Sequence, residues 1–273
     1  EWGTLYRKTG VSWPIDACIG YPIKSRDDLK EYEPPDPTLP GRASNIEMAR
    51  DMDNQDIALL GAVRGPMTTL WLLLGYEGFC FALYDDPGVI TTLCAISNEY
   101  FKEAARLSVA AGCAAIFISE DLGDSTRGFL QPRQFKEYIL PSIAELAQCI
   151  ADLGVPALLH SDGNISAYLD DLAQTEISAI HPLQRTAGMD LREVKQSYGD
   201  QLCIIGNIDS SRTLPFGTPD EVGAEVRDAI DIAAPGGGYI LASDHSIHDG
   251  IPIENVTTMF EVGAAYGRQI YHQ

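Results

Sequence analysis

Val155-Pro-Ala-Leu-Leu-His160-Ser-Asp162-Gly-Asn164 places an imidazole and a carboxylate two residues apart at the end of an apolar run. The run reads as a buried strand bounded by turn residues. His160 then closes the strand and Asp162 opens the loop, and strand C-terminal ends are where layered and barrel α/β proteins build their sites. Such a pair can ligate a metal or hold a substrate. It can equally be a turn histidine beside a helix-capping aspartate. The pattern recurs along the chain. Arg64 follows an apolar run at 57–63, Glu120 and Asp121 follow 114–119, and His181 ends the run 177–181, with Gln184 after it. Asn207 and Asp209 follow 202–206, and Asp244 and His245 follow 238–242. Adjacent carboxylates in one pocket raise each other's pKa, which suits Glu120 and Asp121 to general-acid work or to a metal. The candidate site is thus catalytic Glu120, Asp121, Asn207 and Asp209, substrate-binding Arg64, His181, Gln184 and Asp244, and metal-binding His160, Asp162 and His245. Turn and capping roles stand beside these for Asp162, His245, Asn207, Asp209 and one of the Glu120–Asp121 pair.

The elements that must position these residues alternate. Apolar periodicity predicts strands at 57–63, 114–119, 155–160, 177–181, 202–206 and 238–242. It predicts helices at 67–84, 87–111, 132–153, 165–174, 191–198, 219–233 and 253–269. Residues 1–45 are expected to be irregular, since Pro34-Pro35-Asp36-Pro37 breaks any helix, apart from a capped turn at 25–29. A short helix is expected at 45–53. Strands alternating with helices imply βα units and a parallel sheet. No glycine-rich nucleotide fingerprint follows the first strand, and polar residues gather after many strands rather than at one switch point. The expectation is therefore an α/β protein with a TIM (β/α)8 barrel as one domain over 1–273. Six strands are legible where eight are needed. The rest are sought in residues 11–19, in a segment before Glu1, or in a helix that is really a strand. Glu1-Trp2-Gly3-Thr4 shows neither an initiator Met nor a signal peptide, so a truncated N-terminus is expected.

The chain has 273 residues and a net charge of −20. So acidic a surface repels nucleic-acid phosphates and anionic membranes, and neither is expected as a partner. No run of about 18 apolar residues is evident. The six cysteines are scattered without a CxxC pair, which suits reduced thiols and a cytoplasmic setting.

Several runs resemble the uroporphyrinogen decarboxylase superfamily: His160-x-Asp-Gly-Asn164, Gly206-Asn-Ile-Asp209, Gly217-Thr-Pro-x-Glu-Val222, Gly236-Gly-Gly-Tyr-Ile-Leu-Ala-Ser243 and Pro252-x-Glu-Asn255. Trp2-Gly3, Pro35-Asp36-Pro37 and Glu120-Asp-Leu-Gly123 add to the likeness. The resemblance implies a TIM barrel with its site at the strand C-terminal ends. It implies one of two chemistries: metal-free decarboxylation of uroporphyrinogen, or Zn²⁺-dependent methyl transfer involving a corrinoid carried on a separate partner protein. The decarboxylases carry an N-terminal Arg-Gln-Ala-Gly-Arg motif that is not found here, where Arg42, Arg50 and Arg64 are isolated. The methyltransferases carry His-x-Cys where this chain has His160-Ser-Asp162, and a second Cys near Ser243-Asp244-His245. Gln184 stands where some relatives have a zinc-ligating Glu. Oxygen donors disfavour thiolate chemistry but leave room for zinc to polarise an ether or amine. The reading is a corrinoid-linked methyltransferase acting on a small methylated substrate, or transferring methyl from a corrinoid protein. The alternatives are a decarboxylase and a non-catalytic binding barrel. A homodimer would be ordinary for such a fold.

Overall fold

The computed structural model describes residues 2–8, 17–51 and 57–271. The chain divides into two compact units, Glu1–Glu120 with Arg133–Pro156, and Asp121–Pro132 with Ala157–Gln273.

In the first unit, β1 (Leu5–Arg7) and β2 (Ala17–Gly20) pair antiparallel within the segment expected to be irregular. Ser25 caps α1 (Arg26–Glu31) by accepting the Asp28 amide. α2 (Ser44–Asp51) fills most of the expected short helix. Its residues 52 and 53 lie outside the described residues, as do 11–16 of the stretch where a further strand was sought. β3 (Leu60–Arg64) runs parallel to β4 (Ala115–Glu120), with Arg64 opposite Ser119. α3 (Pro66–Asp85) and α4 (Pro87–Ala110) connect them, each opened by a proline at its first position. α3 corrects one expectation: by length and composition alone it is long and apolar enough to cross a membrane. It buries Leu70, Trp71, Leu73 and Leu74, as a core helix does. The helix expected over 132–153 is interrupted by a π-helical stretch, Phe135–Ile139, before α5 (Leu140–Asp152). Pro141 is the reason, since it has no amide for the regular hydrogen-bond ladder.

The second unit carries β5 (Ala157–Ser161), β6 (Ile177–His181), β7 (Cys203–Ile208) and β8 (Tyr239–Ser243), paired in chain order and all parallel. The helix expected at 165–174 is a 3₁₀ turn, Ser166–Tyr168, followed by the short α6 (Leu169–Leu172). α7 (Leu191–Tyr198) starts where the sequence placed it, on Asp190, which caps the Glu193 amide. The short α8 (Thr213–Phe216) was not foreseen. α9 (Pro219–Ala233) has the Thr218–Glu221 capping box, and α10 (Ile253–Tyr271) follows β8. Strand–helix alternation with parallel pairing is the (β/α)8-barrel class. Six parallel strands occur among the described residues, two in the first unit and four in the second.

Candidate functional site

β5 and β6 are paired in parallel with His160 directly opposite His181. Leaving β5, the chain turns at Gly163 with φ 77°. A Cβ at Gly163 would lie 2.2 Å from the Gly123 carbonyl oxygen, so the turn seats against residues 121–132 only because it is glycine. The Asn164 amide donates to the Asp124 carbonyl at 2.8 Å, and the Leu122 amide donates to Ser161 Oγ at 2.9 Å. These bonds bring Asp121 beside Asp162.

The result is a cluster in which Asp121, His160 and Asp162 each offer a ligand atom, all within 4.8 Å of one another. His245 Nε2 hydrogen-bonds Asp162 Oδ2 at 3.2 Å, and His160 Nε2 stands 3.7 Å from the same oxygen. His160 Nδ1 meets His181 Nδ1 at 2.7 Å. Asp162 Oδ1 is buried without a hydrogen-bond partner. Burial alone would raise Asp162, but the bond from His245 and the neighbouring imidazoles outweigh it and hold the acid below its ordinary value. The same bond raises His245 against the opposing effect of burial. Burial, and then the charge of Asp162, raise Asp121. Burial and the adjacent His160 push His181 down to about 4. Two carboxylates and an imidazole converging with an unpartnered oxygen could hold a divalent cation such as Zn²⁺.

The other expected residues are placed elsewhere or differently. Glu120 is 1% exposed, and its carboxylate accepts the Met67 and Thr68 amides and the Thr68 hydroxyl, each at 2.8 Å. That is a cap on α3, and the acid that perturbs Asp121 is Asp162, which replaces the expected Glu120–Asp121 pair. Asp209 accepts the Ser211 and Arg212 amides at 2.8 Å, a side-chain turn. Asp244 is buried and accepts the amide and hydroxyl of Ser210 at 2.8 and 2.6 Å. Asn207 lies inside β7, which runs two residues further than expected, and donates to the Leu183 carbonyl at 3.1 Å. It lines a cavity of about 370 Å³ with Arg185, Met189 and Arg192. Arg64 lines a cavity of about 560 Å³ in the first unit with Trp2, Arg42 and Tyr100. Gln184 accepts the Gly163 amide at 2.8 Å and so holds the turn that carries Asp162. The helix-capping role considered for Asp162 belongs to Asn164, which accepts the Ser166 amide at 3.1 Å.

One contributor was missed from the sequence. Ser161, between His160 and Asp162, accepts the Leu122 amide and donates to the Asp162 carbonyl at 3.0 Å. A signal for the histidine pair existed, since two successive apolar runs, ending at 160 and 181, each finish on His.

A family model described as uroporphyrinogen decarboxylase (URO-D) matches residues 16–266. A uroporphyrinogen decarboxylase of Anaeromyxobacter dehalogenans is 27% identical over 256 residues, 91% of this chain and 71% of the relative. A Methylcobamide:CoM methyltransferase MtaA of Methanosarcina barkeri is 24% identical over 221 residues, 81% of this chain and 62% of the relative. The chain thus spans about 60 to 71% of the length of such curated relatives. A solved structure of a methyltransferase from Methanosarcina mazei shares the fold, with TM-score 0.75 at 20% identity over 92% of this chain and 72% of that one.

Proposed function

The chain belongs to the uroporphyrinogen decarboxylase family, and from that premise we propose that it is a corrinoid-linked, zinc-dependent methyltransferase. The observation that carries this reading is the Asp121–His160–Asp162 cluster with the unpartnered Asp162 Oδ1. In this reading those three residues would hold Zn²⁺. The bound zinc would polarise the heteroatom of a small methylated substrate. His245 Nε2 stands 3.2 Å from Asp162 Oδ2, where it would steady that ligand and supply a proton to a demethylated oxygen or nitrogen. Its expected role as a ligand gives way to this one. A corrinoid carried on a separate protein would supply the acceptor for the methyl group. An oxygen-rich donor set favours an ether or amine over a thiol. We place the enzyme in the cytoplasm, with its six cysteines as free thiols.

The test is elemental analysis of the purified protein, together with corrinoid methylation by candidate methyl ethers and methylamines. About one zinc per chain is expected, lost in Asp162→Ala along with methyl transfer. Less than about 0.2 metal per chain with chelator-insensitive turnover overturns the metal role. Metal-independent release of CO₂ from uroporphyrinogen assigns the protein to the decarboxylases instead.

A further inference from the structure

We propose that the cavity of about 370 Å³ beside Asn207 is a binding site for a free amino acid with an apolar side chain. It shares no residue with the Asp121–His160–Asp162 cluster, and the proposal does not depend on the metal reading.

The cavity lies wholly within the second unit. Its lining comes from the loop after β6, the start of α7, Asn207 on β7, and α9. Asn207 is 1% exposed. Its Nδ2 donates to the Leu183 carbonyl, which sets the orientation of the amide. Its Oδ1 is buried with no hydrogen-bond partner. A buried acceptor left unmet costs its full desolvation, so an occupant that brings an N–H or O–H to Oδ1 is favoured. Charge narrows the choice. Arg185 pairs with Glu225 at 3.4 Å, and Asp190 accepts the Glu193 amide at 2.9 Å. Arg192 on α7 and Asp228 on α9 remain, one charge of each sign on two different helices. An inorganic dianion gains from Arg192 and is repelled by Asp228, and a simple amine meets the reverse. A zwitterion satisfies both. Its carboxylate suits the Arg192 guanidinium at the positive end of α7. Its ammonium supplies donors to Asp228 and to Asn207 Oδ1. Met189 and Ile232 complete the lining with apolar surface, which suits an aliphatic side chain, and the volume is that of a small-molecule site.

The loop that lines this cavity also holds the turn that carries Asp162. Gln184 accepts the Gly163 amide at 2.8 Å, and Asn164 Nδ2 donates to the Ala187 carbonyl at 2.9 Å. Arg185, Gly188 and Met189 of the same loop face the cavity. An occupant there would brace that turn, which is the position of an effector rather than of a substrate.

The experiment is isothermal titration calorimetry of the full chain at pH 7 with four probes: leucine, 4-methylpentanoate, 3-methylbutylamine and inorganic phosphate. Leucine is expected to bind saturably with a Kd below about 1 mM, and each of the other three at least about tenfold more weakly. Asn207→Leu and Arg192→Gln should each weaken leucine by about tenfold or more. Arg192 is exposed, so its variant tests the site even if Asn207→Leu fails to fold. Asp162→Ala should bind leucine as the parent does, which separates the cavity from chelation at the cluster. No saturable binding of leucine up to about 10 mM overturns the proposal. So does leucine affinity unchanged in Arg192→Gln, or lost in Asp162→Ala. Any of the other three probes binding as tightly as leucine refutes the zwitterion as the ligand.

Discussion

Glu120 offers a direct contest between a catalytic and a structural reading. α3 begins at Gly65-Pro66, and Gly65 supplies no side-chain cap. Its first free amides, those of Met67 and Thr68, are instead taken by the Glu120 carboxylate, reaching from the end of β4. A buried anion at a helix N-terminus also meets the positive end of the macrodipole. Glu120→Ala strands the buried Met67 amide and the part-buried Thr68 amide at about 1–3 kcal/mol each, the second toward the low end, for an expected loss of about 3–5 kcal/mol with the cavity included. Glu120→Gln keeps the volume but turns an NH₂ toward donors, and about 2–3 kcal/mol is expected. Against a typical total of about 5–15 kcal/mol these are large. At about 2–4 °C per kcal/mol, the alanine variant should melt roughly 10 °C lower. A Cβ on Gly65 would lie 2.2 Å from Glu120 Cδ. Gly65→Ala should therefore displace the same carboxylate, and its cost should not add to that of Glu120→Ala. Denaturant and thermal unfolding read these quantities, and metal analysis should show unchanged stoichiometry. A Glu120→Gln protein within about 0.5 kcal/mol of the parent, but devoid of turnover, would refute the capping argument and restore Glu120 to the chemistry.

Two further outcomes follow from the second unit. The buried Tyr168 hydroxyl donates to the Leu130 carbonyl at 2.6 Å and accepts the Leu130 amide at 3.0 Å, so Tyr168→Phe should cost about 1–3 kcal/mol by chemical denaturation. In metal-free protein the Asp162–His245 pair should stabilise most between about pH 4 and 6.5. His245 is raised, so its contribution is full below its unfolded value and fades as pH climbs through its folded one. Asp162 is lowered, so its contribution is present above its unfolded value and fades as pH falls through its folded one. Unfolding free energies across pH for the parent and Asp162→Asn should diverge inside that window; parallel curves would dismiss the pair.

The strand ends were legible because each is an apolar run that meets a polar residue, and β6, α7 and α9 begin and end where the pattern put them. β1 and β2 were not, since three- and four-residue strands leave too few positions for alternation to register. The site was legible as a set of strand-end residues but not as a geometry. Glu120 and Asp121 are neighbours in sequence, and adjacent strand positions point to opposite faces; nothing in the pair itself says which meets Asp162. A signal for Glu120 did exist. A helix starting Gly-Pro-Met-Thr has no Ser, Thr, Asp or Asn at its cap, so an acceptor had to come from elsewhere. Asp209 and Asp244 were read as chemistry because an acid after a strand looks the same whether it serves a substrate or its own backbone. Only the amides of Ser210, Ser211 and Arg212 distinguish the two.

The residue at 162 bears most on what the site can do. A thiolate there would bias the cluster toward soft metals, whereas the carboxylate gives two oxygens and one imidazole nitrogen, a set that also suits Mn²⁺. Asp162→Cys is the informative exchange, because Gly163, Gln184 and Ser161 fix the backbone around it irrespective of its side chain. The preference for zinc over manganese should rise by about tenfold or more, roughly 1.4 kcal/mol. At the same time His245, having lost its carboxylate partner, should fall back toward its ordinary value. Competition binding with the two ions and the His245 titration measure both effects on one variant. Unchanged selectivity with a shifted His245 would mean that Asp162 serves the histidine and not a metal, and the ligand set would have to be drawn without it.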